Sequence, residues 1–284
     1  MQSKWQSIGL MCLAMALFAI TFALLQVSMG YLPRAIVLFF QSLFSLAVLL
    51  PLILSRGIRD LYSKEAVWLL LRGVAGLVGM FCIVTALRVT SLAETTLLNN
   101  TAPLFVPFLA FLMLREPIDL RLWPGIVLGF VGVALIVQPG FHRVSSGHLF
   151  ALASGVTGAL VLILSRRVAH EPLVRITAYY YGLFVVATAP FALGSTWDLP
   201  PVWIWLALVL CGVVAVAAIS TLALALRKAH TQEVAAFVYT GVLFALLIDG
   251  FVWNRIPTPL AWVGIVTVCC GGIWTLLVPR KEAH

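Results

Sequence analysis

Ten apolar runs, each about twenty residues long, occupy this chain, and the longest interval between them, Ser55 to Glu65, is eleven residues. The runs fall at roughly 8–29, 34–54, 66–88, 92–114, 120–138, 148–165, 173–194, 202–226, 232–253 and 259–278. A helix needs about 20 mostly apolar residues to cross a bilayer. In hydrocarbon each backbone N–H and C=O must be satisfied inside the protein, so runs of this length read as helices. No interval is large enough for a soluble domain. The chain is 62% hydrophobic and 10% charged, whereas soluble domains are about 45–50% apolar and about 25% charged. The fold class expected is an all-α integral membrane protein with ten transmembrane helices.

The connections carry the expected punctuation. Pro33 and Pro172 open the second and seventh runs, where a missing N–H costs little. Ser91, with Glu94 three residues on, makes a capping box at the start of the fourth. The first run is uncharged from Trp5 to Pro33 and has no small-residue cleavage site, so it reads as a mature helix rather than a signal peptide.

The chain also repeats itself. Shifted by 139 positions, Ala86-Leu87-Arg88 meets Ala225-Leu226-Arg227, Glu94 meets Glu233, Thr101 meets Thr240, and Gly125, Gly132 and Trp123 meet Gly264, Gly271 and Trp262. The same offset pairs Ser7 with Ser146, Pro33 with Pro172, Pro51 with Pro190 and Gly73 with Gly212. Both halves therefore share one five-helix plan, 1–140 and 141–284. Five is odd, so the second copy enters the membrane from the opposite side. Inverted repeats of this kind are a hallmark of secondary transporters, with the site at the repeat interface near mid-membrane.

Charge sets the orientation. The net charge of +8 is not one basic patch: Lys and Arg fall in short loops, which excludes a nucleic-acid partner. With both termini cytoplasmic, fourteen of the 18 Lys and Arg lie on the cytoplasmic side, leaving Arg34, Arg88, Arg143 and Arg255 opposite. The five cysteines all lie within apolar runs with no C-x-x-C, and the five histidines lie in loops, at a helix edge or at the C-terminus. No metal site, cofactor or P-loop is expected, and no motif of a membrane-embedded enzyme appears.

Ala86-Leu87-Arg88, Leu92-Ala93-Glu94, Pro103-Leu104, Leu114-Arg115-Glu116 and the Gly125 to Gly132 stretch together resemble the EamA-type pattern of the drug/metabolite transporter superfamily. The resemblance covers the whole chain and implies five plus five inverted helices around a central cavity. It further implies alternating-access carriage of small organic solutes and a bacterial inner-membrane location. By that resemblance the expected cargo is amino acids or related metabolites. Multidrug or organic-cation export, or carriage of nucleotide-like metabolites, is the alternative. The family often has a second acid where this chain has Arg255, which fits a role for Glu116 in the turn geometry of one half.

Two sets of residues are candidates for the site. Gln26, Gln41, Asn99, Asn100, Thr101, Tyr180, Tyr239 and Thr240 are polar or aromatic positions inside apolar runs, where an amide or hydroxyl needs a partner. They either line a cavity or hold the bundle together by interhelical hydrogen bonds. Pro103 and Pro107 free carbonyls near 99 and 103, which makes the fourth helix a candidate bent wall. Arg88 with Glu94, and Arg227 with Glu233, are candidate gate latches facing opposite compartments, or each Glu only caps its helix. Asp249 is either a proton or cation site, or a partner of Arg255 near the interface. Arg72 either snorkels to the cytoplasmic surface or contacts an anion. The expected partners are a small-molecule substrate and the lipid bilayer. Coupling is to a proton or a counter-solute, unless the protein is a facilitator. The oligomeric alternatives are monomer and homodimer, because the Gly125–Gly129 G-x-x-x-G suits packing of either kind.

Overall fold

The computed structural model describes residues 2–114, 121, 123–137, 145–168, 170–194, 196–228, 240–255 and 258–277. Every regular element among the described residues is helical. The long helices are α1 (Gln2–Ser28), α2 (Arg34–Arg56), α3 (Ala66–Ala86), α7 (Ser146–Arg167), α8 (Leu173–Gly194) and α9 (Val202–Lys228). Shorter ones are α4 (Leu92–Asn99), α5 (Ala102–Leu114), α6 (Trp123–Val137), α10 (Thr240–Trp253) and α11 (Pro259–Leu277), and a 3-10 turn (Ile58–Leu61) follows α2. Six of these helices are long and apolar enough to cross a membrane. Leu162 of α7 and Val186 of α8 are 45% and 71% exposed; on a spanning helix such side chains meet lipid rather than water.

One expected helix is two. The run 92–114 breaks at Asn100 and Thr101 into α4 and α5. Pro103 has no N–H to give the carbonyl four residues back, at Asn99. The chain tightens there: Asn100 donates to Thr96 O at 2.9 Å, while Thr101 donates to Leu98 O at 3.2 Å and Leu104 to Thr101 O at 2.9 Å. The Thr101 hydroxyl satisfies Leu98 O again at 2.6 Å.

Packing follows the 139-residue correspondence. Helix α1 packs on α9 and α10, and its counterpart α7 packs on α3, α4 and α5. Helix α2 packs on its own counterpart α8, and α6 on its counterpart α11. Individual contacts are exchanged in the same way. A methyl placed on Gly132 would lie 2.8 Å from Gly264 O, and one on Gly271 would lie 2.6 Å from Gly125 O. Gly73 meets Leu183, and Gly212 meets Phe44. Close backbone approach of this kind is what small residues allow when hydrocarbon supplies no hydrophobic drive between helices. The Gly125–Gly129 stripe is thus occupied within the chain, by α11.

The largest buried cluster draws Leu25, Ile36, Val84, Leu92, Leu208 and Ala245 from six helices. It surrounds the start of α4 and leaves the polar groups of that region among apolar neighbours.

Candidate functional site

Polar side chains inside the bundle gather around α4. Asn99, the last residue of α4, accepts from the Ser154 hydroxyl of α7 at 3.1 Å, and that hydroxyl also lies 2.6 Å from Ala151 O. A single proton serves both, so the Asn99 amide keeps hydrogen-bonding capacity beyond Ser154. Asn100 faces the start of α10: a methyl on Gly241 would lie 3.6 Å from Asn100 Nδ2. Gly155 of α7 fits against the break itself, where a methyl would come within 2.6 Å of Thr101 Oγ1 and 2.8 Å of Leu98 O. The break therefore brings together Asn99, Asn100 and Thr101 from the fourth run, Ser154 from α7 and the start of α10. Thr240 is the first residue of α10; Tyr239 lies outside the described residues.

The remaining candidates are spread over other parts of the bundle. Gln41 is buried on α2, and its Nε2 donates to Ser45 Oγ at 3.2 Å. Ser45 in turn donates to Gly212 O of α9 at 3.2 Å. Tyr180 lies edge-on to Tyr181 at 5.1 Å between centroids and tilted against Phe184 at 4.5 Å, with its ring over Gly76 of α3. Arg72 of α3 does not simply snorkel: its Nε donates to Ser165 Oγ of α7 at 2.7 Å. Gln26 of α1 gives its Nε2 to Leu87 O at 2.9 Å.

Three buried polar atoms have no hydrogen-bond partner among the described residues: Gln26 Oε1, Thr96 Oγ1 and His148 Nδ1. An orphaned buried group costs about 1–3 kcal/mol. Sequence reasoning named only Gln26. Thr96 and Ser154 are ordinary hydroxyls in apolar runs, and no spacing marks them. His148 falls outside the repeat, since its counterpart is Gly9.

Of the gate candidates, the first pair is seen apart in this structure. Glu94 completes the capping box with Ser91, donating its backbone N–H to Ser91 Oγ at 3.1 Å and accepting the Ser91 N–H at 3.2 Å. An ionisable neighbour is His148, with Nε2 3.8 Å from Glu94 Oε2. Arg88 turns away and donates to Met29 O at 3.5 Å. The Arg88–Glu94 latch is therefore not formed in this structure, because the capping box aims the carboxylate back along α4. The Arg227 side chain and Glu233 lie outside the described residues.

Asp249 is 1% exposed. Its carboxylate accepts the backbone N–H of Ala93 at 2.6 Å and of Leu92 at 3.2 Å. These are unpaired donors at a helix start, where the helix dipole favours an anion. Pairing with Arg255 is one of the alternatives; the hydrogen bonds of the carboxylate go to α4, while Arg255 donates its backbone N–H to Asp249 O at 3.2 Å.

The opposite end of the bundle carries a clamp. Arg175 at the start of α8 donates through Nε to Asp60 O at 2.6 Å and through Nη2 to Asp60 Oδ1 at 3.1 Å. It also pairs with Glu171, which accepts from Ser63 as well. The Ser63 hydrogen bond, helped by Arg175, holds the Glu171 carboxyl below the usual carboxylate range, against the desolvation that raises it. This clamp ties the α2–α3 connection to the α7–α8 connection.

A bundle of apolar helices with a broken helix at a buried polar cluster defines the class: a multi-pass membrane protein built to handle small molecules. The chain belongs to the EamA-like transporter family, whose model matches residues 5–138 and again 145–277. It is 23% identical over 247 residues to the S-adenosylmethionine uptake transporter of Rickettsia bellii, covering 86% of this chain and 84% of that one. It is 27% identical over 265 residues to the Pseudopaline exporter CntI of Pseudomonas aeruginosa, covering 91% and 92%. A solved crystal structure superposes with TM-score 0.63 at 22% identity, over 94% of this chain and 95% of the other, which shows the shared fold. The protein is a transporter of small molecules and not an enzyme.

Proposed function

We propose that this protein is a secondary transporter that moves amino acids or related small metabolites by alternating access between two inverted five-helix repeats, 1–140 and 141–284. The reading takes ten spanning helices, a bacterial inner-membrane location and both termini in the cytoplasm. The observation that carries it is the break between α4 and α5, with Asn99, Asn100 and Thr101 at the ends of two half-helices. Discontinuous helices inside the membrane are where transporters of this build hold their cargo, because half-helix ends offer backbone groups and oriented dipoles. The exchanged glycine contacts support the repeat reading. The relatives named for S-adenosylmethionine and for pseudopaline support small organic cargo in general. S-adenosylmethionine is itself an amino-acid derivative.

In this scheme Asn99, Asn100, Thr101 and Ser154 line the cargo site, with Gln26, Gln41, Tyr180, Tyr239 and Thr240 around it. Glu94 with His148 guards one end, and the Asp60–Arg175–Glu171 clamp guards the other. Arg227 and Glu233 remain the second-half latch candidates. An organic cation is the competing cargo, favoured by the Tyr180–Tyr181–Phe184 ring cluster through cation–π contact.

Proteoliposome transport decides between them. Amino acids, S-adenosylmethionine, nucleotide-like metabolites and organic cations are screened with and without an imposed pH gradient. Saturable counterflow of an amino-acid-like solute, with a raised KM in Asn99→Ala, is the expected result. Saturable counterflow confined to another class reassigns the cargo. Non-saturating flux for every class makes the protein a channel and sinks the proposal.

A further inference from the structure

A cavity lies away from the α4–α5 break and is lined by none of the cargo candidates there. It is a cleft of about 840 Å³ between α2, α3 and α8, at the end of the bundle where α2 begins and α3 ends. Two arginines, Arg34 and Arg88, are among its lining residues. Arg34 donates through Nη1 to Thr85 Oγ1 at 2.9 Å and lies 5.7 Å from the Phe81 ring centroid. Among the described residues Arg88 makes the long bond to Met29 O and no other side-chain hydrogen bond. A guanidinium has five N–H donors, so both retain donors for an anion.

The walls below the arginines are apolar: Leu38, Leu77, Val78, Phe81, Ala187 and Phe191. Val78, Phe81 and Phe191 are 47%, 46% and 64% exposed, so the cleft opens sideways along spanning helices. From the end of α3 at Ala86 down to Leu77 is about 14 Å at 1.5 Å per residue. One leaflet of hydrocarbon is about 15 Å deep, half of the bilayer core. A ligand with an anionic head between the arginines and an apolar tail one leaflet long fits this shape.

We propose that the Arg34–Arg88 cleft is a binding site for an anionic phospholipid. The phosphate lies between the two guanidinium groups, where fork-shaped donors match its oxygens. One acyl chain runs down α3 past Phe81 and Val78 toward Leu77. Charge selects the lipid, and the sideways opening lets it enter from the bilayer, whereas a water-soluble anion gains nothing from the apolar wall. The occupied cleft fills the space between α2 and α3, which touch each other only sparsely.

The test uses the full-length protein in nanodiscs of phosphatidylcholine with added phosphatidylglycerol, read by native mass spectrometry after release. One tightly retained phosphatidylglycerol is expected, favoured over phosphatidylcholine by about tenfold. The R34Q/R88Q variant is expected to lose that preference, and R255Q, which removes a charge at the same end of the bundle, to keep it. Val78→Trp, which leaves both arginines in place and fills the lipid-facing wall, is expected to lose the retained lipid too, so the proposal stands or falls even where R34Q/R88Q fails to fold. Millimolar glycerol 3-phosphate is expected not to displace the lipid. Equal retention in V78W or R34Q/R88Q overturns the proposal, as does indifference to headgroup charge. Displacement by glycerol 3-phosphate also overturns it and makes the cleft a site for soluble anions. None of these outcomes depends on which cargo the transporter carries.

Discussion

The carboxylate of Asp249, near the end of α10, sits 2.6 Å from the backbone nitrogen of Ala93 at the start of α4. A residue 156 positions away thus supplies the acceptor that the first turn of a broken helix needs. Hydrogen bonds to a charged group are worth about 1.5–3 kcal/mol, and an orphaned buried donor costs about 1–3 kcal/mol. Asp249→Ala should therefore destabilise the protein by about 1–3 kcal/mol. Asp249→Asn should lose less, because its amide oxygen still accepts. Thermal unfolding in detergent micelles measures both, and equal midpoints for all three proteins would contradict the role.

The α4–α5 break can be probed from α7. Gly155→Ala would place a methyl 2.8 Å from the Leu98 carbonyl, a backbone atom that has no rotamer to move. Overpacking of this kind costs about 1–3 kcal/mol. Gly182 on α8 meets nothing within 4 Å, so Gly182→Ala should be neutral or stabilising by about 0.5–1 kcal/mol. Unfolding curves showing the same change for both substitutions would mean that the break is not held by close packing.

Glu171 predicts an acid dependence. Its carboxyl is held below the usual range in the folded protein, first by Ser63 and then by Arg175. A depressed folded value contributes stability that is complete above the unfolded value, about 4.3 for Glu, and is lost as pH falls through the lower folded value. Wild type should therefore lose stability below about pH 4.3 more steeply than Glu171→Gln. Parallel melting-temperature profiles for the two proteins between pH 3 and 6 would remove the clamp as a contributor.

For Glu94, stability and transport should separate. Glutamine at this position still completes a capping box, and even a fully charged, partly exposed pair with His148 would be worth only about 0.2–1 kcal/mol. Glu94→Gln should leave stability within about 1 kcal/mol of wild type while changing the rate of counterflow. His148→Gln should do the same. Unaltered counterflow in both variants would reduce Glu94 to a helix cap.

The sequence carried the helices more clearly than it carried their packing partners or the site. Long apolar runs leave the backbone one solution, so α1, α2, α3, α7, α8 and α9 were readable within a few residues. The break at Asn100 was half visible: Pro103 and Pro107 announced a bend, but the choice between bend and break depended on local contacts such as the Thr101 hydroxyl on Leu98 O. The Glu94 capping box was legible because it is local. The partners of Asp249 and Glu94 were not, because both are reached only by folding. A carboxylate four residues from a helix end looks the same whether it meets Arg255, water or another helix. His148 was passed over because position within the chain placed it at a helix edge, and only the packing of Gly147 against Val89 and Thr90 brings it to Glu94.

The contact between α6 and α11 has the form of an isologous interface: patch meets equivalent patch, and each contact is answered by its exchange. Gly132 approaches Gly264 as Gly271 approaches Gly125. Between two separate chains such a surface would form a homodimer. Here both patches lie on one chain, so they meet without a second molecule. The same self-complementarity means that a first half produced alone would still display a glycine face able to pair with another copy of itself.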